Sequence, residues 1–476
     1  MDFRVVIIGG GIGGLTAAIR LARQGCRVTV LESRDAAGGL ASGLSAEGFA
    51  FDGGPYVLLD RPGLQWALGR LGIDADIELG LRRISHVYEV GFDSGPPISI
   101  DDSLEQTAAA FESRWPGSAA RYERFIRWTA AIYGRLQPMQ WRSSPGVADV
   151  VRAGALRDLP FLIRSLDSVL KSSGLPEPIL QTLGIWTHVA GQQPREAPAP
   201  LALVPAAIHR IGAYCPAGGI AMIPRLLARV ATEVGVSFRF GEAAHRIRCR
   251  NGIVTGVETG DETLPAEAVV SNVGLATYLD LLDEDGQRAL GNRRRRSLAA
   301  LPLQSPGVCA YLAVRGRPPG PYLRFRLRPE PDGCRLLVLP GVLDPSLERD
   351  GWFPARLIAP MKHARAESEG EAGHRGFVEK VVEKERWWRE LFDDVRILGV
   401  RSPADWGRQF KLHRNSMNPV MTSRFMLTGR LAHRSPWIGH LYVVGSATHP
   451  GQWVSFSAVS GNLAADRVLA DRGVDR

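Results

Sequence analysis

A short apolar run, Val5-Val6-Ile7-Ile8, leads straight into Gly9-Gly10-Gly11-Ile12-Gly13-Gly14, and this order constrains the fold more than any other part of the chain. The run is long enough for a buried strand. Gly9, Gly11 and Gly14 satisfy G-x-G-x-x-G, with Gly13 inside the same turn. Residues 15–24 read as a helix with Ala17, Ala18, Leu21 and Ala22 on its packing side and Gly25 as its stop. Arg27-Val28-Thr29-Val30-Leu31 reads as a second strand that ends in Glu32 and Ser33. Strand, glycine turn, helix, strand and acid, with about twenty residues from glycines to acid, make a dinucleotide-binding unit. The glycines let backbone approach a pyrophosphate, and the helix N-terminus supplies N–H groups and positive dipole. Glu32 accepts from a ribose diol and would repel a 2′-phosphate.

The next segment narrows the dinucleotide. Glu32 is followed by Gly38-Gly39, and then by Gly48-Phe49-Ala50-Phe51-Asp52-Gly53-Gly54-Pro55-Tyr56-Val57. A second glycine pair and a Gly-rich turn directly after the first unit resemble the flavoproteins with two dinucleotide-binding domains. The Gly-Phe-x-Phe-Asp-x-Gly-Pro phrase resembles, more narrowly, the phytoene desaturase and carotenoid isomerase family. The resemblance implies bound FAD. Leu40 stands where that family usually has Arg, which removes one polar contact near the ribityl or phosphate region.

Charge and composition exclude several classes. The chain has 476 residues, enough for two or three lobes, and is 45% hydrophobic and 22% charged, as a soluble globular protein should be. The net charge of +9 comes mainly from Arg. It is explained either by a solvated surface or by an anionic partner, for which membrane headgroups fit better than nucleic acid. No recognition helix, zinc spacing or aromatic-basic RNA motif is present, so no nucleic-acid partner is expected. Cys26, Cys215, Cys249, Cys309 and Cys334 are widely spaced and form no C-x-x-C, so neither a metal site nor a disulfide framework is expected. The start, Met1-Asp2-Phe3-Arg4, runs into the first strand without room for a signal peptide, and no window holds eighteen uncharged apolar residues. The expectation is a cytoplasmic protein, at most peripheral to a membrane.

The organisation reads as interleaved. Residues 1–65 form the first part of the nucleotide domain, and 66–210 look largely helical. Residues 211–290 and 435–476 return to the nucleotide domain around a substrate-side sheet at 291–434. Within the helical part, Phe111, Trp115-Pro116-Gly117, Tyr122 and Phe125 again resemble the desaturase family in spacing. Residues 159–172 place Leu159, Leu162, Ile163, Leu166, Val169 and Leu170 at helical spacing. This is either a core face or a helix lying in a bilayer interface.

Near residue 210 the pattern changes. Tyr214-Cys215-Pro216-Ala217-Gly218-Gly219 precedes a helix over 223–233, with strands expected over 236–240 and 243–249. These resemble the family's Tyr-Pro-x-Gly-Gly turn and adenine-side strand, with Ala244 where Val is usual, and Val269-Val270-Ser271-Asn272 resembles its return strand. Arg293 to Arg296 is a basic run, read as solvated or as a lipid-headgroup contact.

At the end of the chain, Leu441-Tyr442-Val443-Val444 reads as a buried strand before Gly445-Ser446-Ala447-Thr448-His449-Pro450-Gly451. A helix rich in small residues follows over 455–469, close-packing against cofactor or backbone. Gly445, Gly451, Val454 and Ser455 are its cofactor candidates. The segment resembles the family's C-terminal signature, but Gln452-Trp453 replaces Gly-x-Pro, and Trp453 should reshape the substrate pocket. Arg401-Ser402-Pro403-Ala404-Asp405 and Arg414-Asn415-Ser416 approximate further phrases of the family.

The resemblance implies an α/β flavoprotein of the two-dinucleotide-binding type. Its Rossmann-type FAD domain is discontinuous and is joined by a mixed-sheet substrate domain and a helical lobe. The implied substrate is an apolar polyene or isoprenoid. The implied reaction introduces or isomerises C=C bonds by hydride transfer to flavin N5, with the carbons held against the ring. No second G-x-G-x-x-G exists to bind NADPH, which leaves oxygen or a quinone as electron acceptor. Catalytic candidates are Asp149 and Arg152, which also read as an i, i+3 surface pair, and His449, which also reads as a turn residue. Two alternatives stay open: an amine-oxidase-like flavoenzyme, against which the Thr448-His449-Pro450-Gly451 phrase argues, and a non-enzymatic isoprenoid escort protein, against which the intact glycines and Glu32 argue.

Overall fold

The computed structural model describes residues 3–190, 192–260, 262–328 and 333–473. Five parallel strands form the first sheet, in the order Leu441–Val443, Ala268–Ser271, Arg4–Ile8, Arg27–Glu32 and Ser237–Phe240. Its strands come from three distant stretches of the chain; the three strands Leu441–Val443, Ala268–Ser271 and Arg4–Ile8 are almost wholly buried, as central parallel strands require, while the edge strand Ser237–Phe240 is largely open. Helices Ile12–Arg23, Met222–Glu233 and Val454–Asp471 pack together beside it. The first and last of these approach with almost no gap. A Cβ on Gly461 would stand 2.4 Å from the Gly13 carbonyl oxygen and 2.7 Å from Thr16 Cβ. The small residues of the last helix therefore serve backbone contact with the first helix.

The second sheet has seven strands in the order Val395–Arg401, Val308–Arg315, Trp352–Ala359, Cys334–Val338, Leu323–Leu327, His86–Gly91 and Ile98–Asp101. All neighbours are antiparallel except Leu323–Leu327 with His86–Gly91. The last two strands lie within residues 66–210, a stretch otherwise made mainly of helices. They are short, and His86–Gly91 buries most of one face against the lobe, where Tyr88 meets Trp186 and Phe325 edge-on at 5.5 and 5.8 Å.

The helical lobe comprises Leu104–Arg114, Ser118–Gln140 and a set of shorter helices up to Val204–Arg210. Phe111, Tyr122 and Phe125 are buried in its core, and the turn between the first two helices falls at Trp115-Pro116-Gly117. The amphipathic run over 159–172 is not one helix. It divides into Leu159–Leu162 and Leu166–Lys171, the second capped by Ser165, whose hydroxyl accepts from the Ser168 N–H at 3.3 Å. The division also splits its environment: Leu166, Val169 and Leu170 are core, while Leu159 and Ile163 are exposed at 47% and 72%. The strand expected over 243–249 starts only at Arg246, leaving Ala243 and Ala244 in extended loop. No described helix is long and apolar enough to cross a membrane.

Candidate active site

One cavity of about 1020 Å³ runs from the first glycine turn to the space between the helical lobe and the seven-stranded sheet. Among the cofactor candidates, Gly9, Gly11, Gly13, Glu32, Ser33, Gly38, Gly39, Leu40, Gly54, Pro55, Ala244, Asn272, Gly445, Gly451, Val454 and Ser455 all line it. Gly14 does not: a Cβ there would stand 2.3 Å from the Gly9 carbonyl oxygen, so its glycine serves the turn itself.

At the nucleotide end, Glu32 is 6% exposed. Its carboxylate accepts the Gly10 N–H at 2.9 Å and the Arg34 N–H at 3.0 Å, and it keeps lone pairs toward the cavity. The Asn272 side chain fills the space around the turn. It donates to the Gly9 carbonyl at 3.4 Å, and Cβ atoms on Gly11 or Gly445 would each come within 2.6 Å of it. The first helix has no side-chain cap and no acid in its first turn, so its N-terminal N–H groups are open to an anion. The same holds at Val454–Asp471, whose first turn lines the cavity. A tight uncapped glycine turn, a carboxylate at the strand end and two free helix N-termini fit a dinucleotide.

The Phe51-Asp52-Gly53-Gly54-Pro55 turn works differently from its sequence reading. Gly54 and Pro55 do line the cavity, but the Asp52 carboxylate turns away from it. It accepts the Ala221 N–H at 2.9 Å, and burial raises its pKa. A Cβ on Gly219, which holds φ +94°, would come within 2.7 Å of it. Asp52 thus joins the Tyr214-to-Gly219 turn to the helix that follows. Buried Arg356 completes the joint by donating to the Asp52 carbonyl and, at 2.8 Å, to the Gly54 carbonyl.

The three catalytic candidates part company. Asp149 and Arg152 do not line the cavity. Asp149 accepts the Gly146 N–H at 3.0 Å and pairs with Arg142 and Arg152 at 3.0 and 3.2 Å, and Arg152 is 70% exposed. They form an ion pair on the short helix Val147–Arg152, with the Arg152 guanidinium in solvent. His449 does line the cavity, yet both ring nitrogens are engaged: Nε2 donates to the Met139 carbonyl at 3.0 Å, and Nδ1 accepts from Arg430 at 3.3 Å. Burial, with Arg430 beside it, pushes its pKa down to about 4. Its carbonyl accepts from His433 Nε2 at 2.9 Å, and Ser143 Oγ meets His433 Nδ1 at 2.8 Å. His449 is held neutral as a positioning residue.

Three groups at this site escaped the sequence reading: Asp60, Arg430 and His433. Asp60, 1% exposed, receives hydrogen bonds from Gly63 N–H and Tyr133 Oη at 3.2 Å each and from Ser455 Oγ at 2.9 Å. The Asp60-Arg61-Pro62 order carries an N-cap signal that marks it as the start of a helix. Nothing local marks Arg430 or His433. The Ser402-Pro403-Ala404-Asp405 phrase is a capping box, with Asp405 accepting the Ser402 N–H at 2.8 Å, and it sets Trp406 and Phe410 against the cavity.

Comparisons with known proteins agree with this geometry. The family model for flavin containing amine oxidoreductases matches residues 12–319. The zeta-carotene-forming phytoene desaturase of Myxococcus xanthus is 27% identical, covering 98% of this chain and 94% of its own. The hydroxyneurosporene desaturase of Cereibacter sphaeroides is 28% identical, covering 98% of each. Among solved structures, an oxidoreductase from Methanosarcina mazei superposes with TM-score 0.67 at 18% identity, over 98% of this chain and 100% of that one. A double mutant of putrescine oxidase superposes with TM-score 0.64 at 17% identity, over 99% of this chain and 100% of that one. The chain therefore belongs to the flavin containing amine oxidoreductase family and is a flavin-dependent oxidoreductase similar to the phytoene desaturases.

Proposed function

We propose that the flavin is FAD and that the enzyme desaturates or isomerises a carotenoid or other apolar polyisoprenoid. The observation that carries this reading is the continuity of one cavity from the Glu32 cradle into an apolar compartment. That compartment is walled by Leu136, Leu162, Trp186, Leu201, Ile358 and Met421. Bound FAD supplies a hydride acceptor for a C–H bond whose neighbouring carbon loses a proton. The chain's own part is to bind and to align. Glu32 would take the ribose diol, the helix after Gly11 would face the pyrophosphate, and the Ala244 backbone would meet the adenine. The first turn of Val454–Asp471 offers positive dipole to charge that develops at the ring. The lobe and the sheet hold the polyene in a dry slot. Oxygen or a quinone would serve as electron acceptor.

The amine-oxidase alternative is opposed by electrostatics. The acidic residues that line the cavity are Glu32, Glu242 and Asp280; Glu242 hydrogen-bonds the Glu32 carbonyl through its N–H, and Asp280 is paired with His413 at 2.7 Å. Among the described residues, a protonated amine in the apolar part would meet Arg430 and no carboxylate.

Exposed apolar side chains at Val151, Leu156, Leu159 and Ile163 lie in the same short stretch of the lobe as Leu162, which lines the cavity. This supports peripheral attachment to a membrane, with the substrate entering from the lipid.

Anaerobic mixing with phytoene, its partly desaturated products and related polyenes tests the function. Bleaching of the flavin band is expected. Bleaching by a simple amine, and by no polyene, would overturn it.

A further inference from the structure

Arg430 is a charged group set into the wall of an apolar cavity. Among the described residues no carboxylate pairs with it. Nη1 donates to His449 Nδ1 at 3.3 Å, Nη2 lies 3.9 Å from the Met421 sulfur, and Nε is buried without a partner. A guanidinium has five N–H donors, so these contacts leave most of them unanswered. Burial pushes the Arg430 pKa down to about 10, still far above neutrality, so the group stays charged.

Two amides share its surroundings. Gln192 donates to the Met421 carbonyl at 3.2 Å, and its Oε1 is buried and unpartnered. Gln140 adjoins Met139, whose carbonyl holds His449, and its Oε1 is likewise buried and unpartnered. Arg430, Gln192 and Gln140 all line the cavity. They sit where the lobe meets the Thr448-to-Gly451 turn, away from the Glu32 end. Leaving such donors and acceptors unpaired in a dry site costs free energy, and a pure hydrocarbon cannot satisfy them.

We propose that Arg430, with Gln192 and Gln140, is a specificity site for an oxygen function, a hydroxyl or carbonyl, on an otherwise apolar polyene substrate. A hydroxyl suits the set well, since its oxygen accepts from Arg430 and its O–H donates to a glutamine oxygen. This rests on the polyene reading given above.

The test is titration of the flavin-loaded protein with neurosporene and with hydroxyneurosporene in detergent micelles, followed by quenching of flavin fluorescence. Wild type should bind the hydroxylated polyene roughly tenfold or more tightly, as a charge-assisted hydrogen bond allows. Arg430→Met should remove that preference while changing neurosporene affinity by about twofold or less. Arg430→Lys should keep part of it, since the charge stays and the fork is lost. Gln192→Leu should weaken it without touching the charge, which keeps the test decisive if Arg430→Met fails to fold. Equal binding of the two polyenes by wild type would overturn the proposal and leave the polyene reading standing. So would an equal loss for both in Arg430→Met accompanied by weaker sulfite addition to the flavin, since the charge would then act on the cofactor. Binding of neither polyene would overturn both readings.

Discussion

The Ser455 hydroxyl donates to Asp60 Oδ2 at 2.9 Å and so ties the start of the last helix to the start of a helix 395 residues earlier. Asp60 caps that earlier helix, Arg61–Gly69, and also accepts from Tyr133 in the lobe. Three parts of the chain thus meet on one buried carboxylate. Asp60→Ala should destabilise the protein by about 2–4 kcal/mol, from a lost cap and two orphaned hydroxyls. Asp60→Asn, which keeps the shape, should cost less. Thermal melting of the flavin-loaded protein checks both.

Gly461 and Gly134 should behave oppositely on substitution. A side chain on Gly461 would strike the Gly13 carbonyl at 2.4 Å and the Ala17 nitrogen at 3.0 Å, both rigid backbone. Gly461→Val should cost about 3 kcal/mol or more and reduce flavin content, because the helix it displaces begins at the cofactor turn. Gly134, in the exposed middle of Ser118–Gln140, has nothing within 4 Å of its Cβ position. Gly134→Ala should stabilise by about 0.5–1 kcal/mol.

His433 and His449 should make the protein acid-sensitive. Burial pushes the pKa of His433 down to about 3 and that of His449 down to about 4, from an ordinary 6.5. A histidine with a depressed folded pKa stays neutral in the folded state while the unfolded chain takes up protons. Its stabilisation is complete above pH 6.5 and is lost as the pH falls toward 4. The expected loss is on the order of 3 kcal/mol for each histidine across that window. His433→Gln should flatten the slope of melting temperature against pH.

Membrane binding should depend on Leu159 and Ile163 and not on Leu166. The first two are exposed, and Leu166 is fully buried. Changing Leu159 and Ile163 to Glu should abolish co-sedimentation with anionic liposomes at unchanged melting temperature. Leu166→Glu should instead unfold the lobe. Salt should weaken the wild-type interaction with anionic liposomes.

Trp453 should shape the substrate slot. It lines the cavity and stacks on Phe456, with centroids 4.9 Å apart and planes at 14°. Trp453→Ala should change which polyene bleaches the flavin while leaving flavin content intact, as measured by absorbance of the purified protein.

Local chemistry was enough to write the glycine-turn half of the candidate site into the sequence. Strand, glycine turn, helix and acid are neighbours in the chain, and each is dictated by short-range backbone needs, so Gly9 to Glu32 could be read directly. The later glycine phrases were legible for the same reason, and they converge on the cavity. What lay beyond reach depended on long-range partners. Asp149 and Arg152 have the spacing of a functional pair, but only the packing of the lobe decides that they face outward. The run over 159–172 has one helical period, but a Ser165 cap breaks it and sends its halves to core and surface. Arg430 has an ordinary sequence context. Its meaning comes from Met421, Gln192 and His449, brought around it by three separate elements, because the electrostatic character of a buried charge is set by what the fold packs against it.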